Sequence, residues 1–199
     1  MSEPPIRIAT LISGGGRTVE NLVHQIAAGE LDARIVAVIC SRPGIKGIER
    51  GRNLGLAVHV VNRKDYDTPA EFSKPIWRII REAQADLVCL CGFLSLLTIP
   101  EDYRGRVINI HPALLPKFGG PGMYGHHVHE AVIAAAETES GCTVHHADVE
   151  YDTGATIVQR KVAVEPGDDA DALAARVFEQ ECIAYPQAIR IVAAQLRAC

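Results

Sequence analysis

Asn109 and His111 stand two residues apart in the run 107–111, and Pro112 follows at once. Residues two apart on an extended strand share a face, so the amide and the imidazole are expected to point the same way. Pro112 has no backbone N–H to continue a ladder, which predicts that the strand stops where these two side chains emerge. An amide donor beside an imidazole suits chemistry at a carbonyl, where developing negative charge takes N–H donors. The same pair also suits a plain turn with both side chains satisfied locally, and the segment by itself leaves both readings open.

A second constellation is Gly14, Gly15, Gly16, Arg17 and Thr18, between an apolar run at residues 6–13 and an amphipathic stretch at 19–28. Glycines let a backbone bend sharply and approach a ligand, and the N–H groups of a helix start favour an anion, with phosphate the natural candidate. The turn lacks the third glycine of a dinucleotide fingerprint and the Gly-Lys-Ser/Thr of a P-loop, so taken alone it is a weak signal and a tight turn without a ligand remains the alternative. Asp152 lies two residues before Gly154, where an aspartate bonding its own turn is the plain alternative. His126, His127 and His129 follow a glycine-rich, lid-like segment at residues 119–125. A metal site is not expected there, because helical ligands usually sit at i and i+4 and no cysteine or carboxylate is expected to complete the set. Cys40, Cys89, Cys91, Cys142, Cys182 and Cys199 include no Cys-x-x-Cys pair, and several fall in apolar runs, which predicts reduced structural thiols. His24 and His59 read as ordinary structural or surface histidines.

These residues need elements to hold them. Strand-like runs at 6–13, 34–40, 57–61, 86–91 and 107–111 alternate with helical patterns at 19–28, 44–55 and 70–83, where Pro75 is an early irregularity. Such alternation predicts an α/β fold with a doubly wound, mostly parallel, Rossmann-like sheet. A helix from 126 to about 136 precedes two strand-like runs at 141–149 and 156–164, which read as a hairpin and give the sheet a mixed edge near the C-terminal half. A last helical stripe covers 168–194, interrupted or kinked at Pro186. Ligands of open α/β sheets bind beyond the carboxyl ends of strands, so residues 14–18 and 109–111 are expected to face one crevice.

The 199 residues carry 48% hydrophobic and 22% charged side chains, with no repeat or linker, and are expected to form one domain. A net charge of −4 argues against nucleic acid or an anionic membrane as partner. No membrane-length apolar run and no basic, apolar leader stands at the start, so a cytoplasmic protein is expected.

Leu-Ile-Ser-Gly-Gly-Gly at 11–16, Gly92-Phe93, Asn-Ile-His-Pro-Ala-Leu-Leu-Pro-Lys at 109–117, Gly-Cys-Thr-Val-His at 141–145, Asp152-Thr-Gly154 and Arg-Val-Phe-Glu-Gln-Glu at 176–181 together resemble the phosphoribosylglycinamide formyltransferases, folate-dependent enzymes of purine synthesis. The resemblance implies that Asn109, His111 and Asp152 are catalytic. It implies transfer of formyl from 10-formyltetrahydrofolate to the amine of glycinamide ribonucleotide, with no metal, and with Asp152 keeping His111 charged. Gly14, Gly15, Gly16, Arg17 and Thr18 would hold the substrate phosphate and Glu181 the ribose or amine side. The folate would lie against Leu94, Ser95, Leu96, Leu97 and Asn109, with Asp148, Val149, Glu150, Tyr151 and Asp152 completing its pocket. Arg17 replaces a small polar residue common in the family. Ser95 stands where many members have a basic residue for the folate tail, a role that Arg63 or Lys64 would take over. His129 and His145 match recurrent family histidines in supporting roles. The rival readings are a folate formyl enzyme with another acceptor (an amino-sugar nucleotide, methionyl-tRNA or water) and a non-catalytic nucleotide-binding module. Monomer and homodimer both remain open.

Overall fold

The structure, a computed structural model, describes residues 3–198, so Cys199 lies outside the described residues. The chain packs as two compact units, Met1–Ile108 with Ala193–Cys199, and Asn109–Val192. In the first unit β1 (Ile6–Ile12), β2 (Ala33–Cys40), β3 (Val58–Val60) and β4 (Leu87–Leu90) alternate with α1 (Arg17–Ala27), α2 (Lys46–Asn53) and α3 (Pro69–Glu82). β1 pairs in parallel with β2 and β4, and β2 with β3. Ile8, Leu11, Ile12 and Leu87 are fully buried, as a parallel sheet covered on both faces requires. Thr68 and Glu71 close a reciprocal capping box at the start of α3, and the helix runs on through Pro75. Phe72, Ile76 and Ile80 form its buried stripe, and Phe72 stacks on Phe93 with ring centroids 6.1 Å apart.

β5 (Val107–His111) leads into the second unit, which holds α4 (His126–Ala134), β6 (Glu139–His146), β7 (Thr156–Ala163) and, as far as Val192, α5 (Ala170–Arg197). The seven strands follow the order β3-β2-β1-β4-β5-β6-β7, and β6 and β7 are antiparallel. The expected α/β fold with a mixed edge is therefore present. Beyond small shifts of the element bounds, two differences from the sequence reading stand out. β6 ends at His146 and not at Val149, because the His146 N–H makes a last bond to the Ala155 carbonyl and the chain then departs into a loop. α5 is continuous through Pro186 over 28 residues; its apolar face is buried at Leu173, Val177, Ala184, Tyr185, Ala188 and Ile189, and this packing outweighs one missing backbone donor. Its start is capped by Asp169, whose carboxylate accepts from the Ala172 N–H at 2.8 Å. No helix among the described residues is long and apolar enough to cross a membrane.

Candidate active site

β5 alternates as its sequence requires, with Ile108 and Ile110 packed in the core and Asn109 and His111 turned to one polar cluster. Asp152 meets both. Asn109 Nδ2 donates to Asp152 Oδ1 at 3.3 Å, and His111 Nδ1 lies 3.4 Å from Oδ2. The Gly120 N–H donates to the same Oδ2 at 2.9 Å. The carboxylate is thus spent on groups far away in sequence, and the local turn reading of Asp152 does not hold. Asp152 itself takes a left-handed φ of 59°, a conformation that aspartate tolerates better than most residues. Its loop closes on β6 because Gly154 has no Cβ: one built there would stand 1.8 Å from the His146 carbonyl oxygen.

A fourth group joins these three. His145, on β6, is 1% exposed; its Nε2 lies 3.1 Å from Asn109 Nδ2 and 3.4 Å from Asp152 Oδ1. His145, expected in a supporting role, is in direct contact with two members of the set. The signal was present as the period-two spacing of Gly141, Thr143 and His145 on a strand. Thr143 holds the segment after His111: its hydroxyl donates to the Ala113 carbonyl at 2.7 Å and accepts from the Leu115 N–H and the Gln159 amide. Gln159 also donates to the Leu115 carbonyl, a bracing contact with no sequence signal.

Burial pushes the His111 pKa below the ordinary imidazole value, although the Asp152 charge and the Phe118 carbonyl both pull it up. The expectation that Asp152 keeps His111 charged is corrected for this state, because removing the ring from water costs more than the carboxylate returns. Both ring nitrogens nevertheless face acceptors: Nε2 donates to the Phe118 carbonyl at 2.7 Å and Nδ1 faces Asp152. Only the imidazolium satisfies both, so a proton gained at Nδ1 is received by a partner already in place. Burial also works to raise the Asp152 pKa, but the His145 hydrogen bond, the His111 charge and the Gly120 N–H outweigh it and hold the carboxyl below its usual range.

In the first unit the glycine turn opens α1. Gly16 has φ 72° and no side chain caps the first turn of the helix. Gly14, Gly15 and Arg17 are exposed and Thr18 is half-buried. Gly47 braces the turn: its N–H donates to the Gly14 carbonyl at 3.2 Å, and a Cβ there would come within 2.6 Å of that oxygen. The Arg50 guanidinium donates to the Gly15 carbonyl and pairs with Glu20 at 3.2 Å. The Ser13 hydroxyl, which sequence reasoning misses, accepts from the Leu94 N–H at 2.9 Å and bonds Ser41, so it ties the turn to the segment 94–97. Leu94, Ser95 and Leu96 are half-buried and Leu97 is buried, while Asp148, Val149, Glu150 and Tyr151 are exposed. Glu181 is half-buried on α5.

A formyl transferase family model matches residues 6–189 of this chain. The chain belongs to the formyl transferase family. It is 41% identical over 97% of its length to the trifunctional purine biosynthetic protein adenosine-3 of Drosophila pseudoobscura pseudoobscura, of which it spans only 14%. It is 32% identical over 92% of its length to the phosphoribosylglycinamide formyltransferase of Haemophilus influenzae, of which it spans 85%. The solved glycinamide ribonucleotide transformylase 1 from Symbiobacterium toebii superposes with a TM-score of 0.90 at 31% identity, covering 98% of this chain and 90% of that one.

Elsewhere in the chain the histidines at the start of α4 do have carboxylates beside them, contrary to the expectation from sequence. His126 lies 3.6 Å from both Glu130 and Asp171, and His127 lies 3.2 Å from Glu130. Helical spacing brings Glu130 round to both rings, and the tertiary fold supplies Asp171. Among the described residues no group of three or more such side chains is placed to hold a metal ion. Among the described residues Cys40, Cys89, Cys91, Cys142 and Cys182 form no disulfide, and burial, the main cause, pushes Cys40 up to about 11 and Cys142 up to about 12, which fits the structural reading of both.

Proposed function

We propose that this chain transfers the formyl group of 10-formyltetrahydrofolate to the amine of 5-phosphoribosylglycinamide, a step of purine synthesis. The observation that carries the reading is the cluster of Asn109, His111 and Asp152, in a chain related over most of its length to a bacterial phosphoribosylglycinamide formyltransferase. In the reaction the amine attacks the formyl carbon, the new N–C bond forms, the formyl oxygen gains negative charge, and the bond to folate N10 then breaks as N10 takes a proton. Asn109 Nδ2 and a His111 N–H are the donors for that oxygen. In the resting cluster these hydrogens are engaged by Asp152, His145 and the Phe118 carbonyl, so the formyl oxygen takes over one of those bonds as it arrives. Asp152, held ionised by its neighbours, favours a protonated His111 as charge builds and receives the proton lost by the amine, which passes to N10 through water.

In the same reading Gly14, Gly15, Gly16, Arg17 and Thr18 take the substrate phosphate, Glu181 the ribose or amine side, and residues 94–97 and 148–152 the folate. The uncapped start of α1 and the exposed glycines support the phosphate role. In the same reading the chain is one formyltransferase domain, cytoplasmic, acting on small molecules; the net charge of −4 speaks against nucleic acid and anionic membranes as partners.

The test is a turnover assay of the purified protein with both substrates, in which formylated product is expected without added metal. Folate turnover with another amine, and none with glycinamide ribonucleotide, would sink the assigned acceptor. Thr18→Asp puts an anion at the helix start, and it is expected to raise KM for the phosphorylated substrate about 3–30-fold while leaving kcat nearly unchanged. A kcat loss with KM unmoved would remove the phosphate from this loop.

A further inference from the structure

We propose that His145 is a positioning residue of the formyl-transfer site: it decides which way the Asn109 amide faces, and so which group donates to Asp152 Oδ1. The far ring atom fixes its tautomer. His145 Nδ1 lies 2.8 Å from the His146 carbonyl oxygen, which can only accept, so Nδ1 carries the proton. In the neutral ring Nε2 is then a bare acceptor. Asn109 Nδ2 lies 3.1 Å from it, and only the NH₂ end of the amide can satisfy that contact. The second hydrogen of the same NH₂ reaches Asp152 Oδ1. A flipped Asn109 would set its carbonyl oxygen against both a lone pair and a carboxylate, so the backbone carbonyl of His146, acting through the imidazole, holds the NH₂ end on the reaction side.

The carboxylate is held from two sides. Oδ2 meets His111 from β5 and the Gly120 N–H, and Oδ1 accepts from the Asn109 amide that His145 orients. The other titratable groups about the cluster are His146, next along β6, and His129 on α4, both buried enough to be pushed toward the neutral form. A neutral His145 orients Asn109.

The catalytic part of this inference rests on the formyl-transfer reading, whereas the contacts do not, and the experiment separates the two. The Asp152 carboxyl is followed by NMR titration in the unliganded wild-type protein, in His145→Ala and in His145→Gln, each first shown to be folded by its thermal transition. Kinetics with both substrates are measured across pH. In His145→Ala the Asp152 titration is expected to move to higher pH, because the Asn109 amide, no longer held by Nε2, loosens its bond to Oδ1, and the acid limb of kcat moves with it. kcat at its optimum falls about 10–100-fold, with KM for either substrate little changed, since a buried amide N–H loses its acceptor. His145→Gln, whose side-chain oxygen reaches the place of Nε2, recovers part of kcat. An Asp152 titration unmoved in His145→Ala, with or without a loss of kcat, overturns the proposal. Wild-type protein that transfers no formyl group while its Asp152 titration shifts in His145→Ala overturns the functional reading and leaves the contact between the two residues standing.

Discussion

Asp152→Asn is expected to lower kcat about 10²–10⁴-fold while sparing the binding of the substrate phosphate. The substitution keeps the shape and removes the charge, and the hydrogen bonds of the cluster then conflict. If the new amide oxygen takes the place of Oδ2 and keeps the Gly120 N–H, its NH₂ faces Asn109 Nδ2, donor against donor. If the amide turns over, its NH₂ faces the Gly120 N–H instead. Neither pose satisfies every group, and neither offers His111 Nδ1 a negative partner. Burial already holds that imidazole below its ordinary pKa, so without Asp152 the imidazolium is further out of reach during the reaction. The pH dependence has a definite sign. The Asp152 carboxyl titrates below its unfolded value, so it contributes stability above that value and loses it as the pH falls through the folded pKa. The variant therefore shows a shallower acid loss of thermal stability than the wild type. Initial rates at saturating substrates and unfolding scans across acid pH check both statements; turnover within a few-fold of wild type would remove Asp152 from the chemistry.

The strand carrying Asn109 and His111 is legible in the sequence because a period of two is a local property, and the structure reproduces its bounds, Val107–His111. The glycine turn and the alternation of strand and helix are legible for the same reason. The illegible part depends on residues distant in the chain. Asp152 looks like a turn residue because its partners, Gly120 and His111, lie more than thirty positions away. The charge state expected for His111 weighs the carboxylate but not burial, which depends on the whole fold and wins. Glu130 beside His126 and His127 is within reach of helical spacing, and only Asp171 requires the tertiary structure. Pro186 reads as a break because local propensity speaks against proline in a helix, whereas the buried face of α5 holds the helix together.

Gly154→Ala is expected to abolish most turnover although the residue touches no reacting atom. A Cβ at this position would stand 1.8 Å from the His146 carbonyl oxygen and 2.8 Å from its carbon, and both are backbone atoms of a paired strand that has little room to yield. The loop must therefore retreat, and the bond from the His146 N–H to the Ala155 carbonyl goes first. Asp152, two residues earlier and in a left-handed conformation, moves with it and leaves His111, His145 and Gly120. A shift of about 1 Å in a reacting group costs about 10²-fold in rate, and this substitution demands at least that. The cost in stability is about 1–3 kcal/mol, typical of overpacking, so the protein remains folded and the lost activity is read as displacement and not as unfolding. The decisive comparison is with Gly120→Ala, which opens onto empty space but holds a φ of 93° that a side chain resists. Both variants loosen Asp152, one by pushing its loop and the other by disturbing the N–H that it accepts. Parallel falls in kcat, with KM for the phosphorylated substrate kept, support the placing of Asp152 by close backbone approach; full activity in Gly154→Ala would refute it.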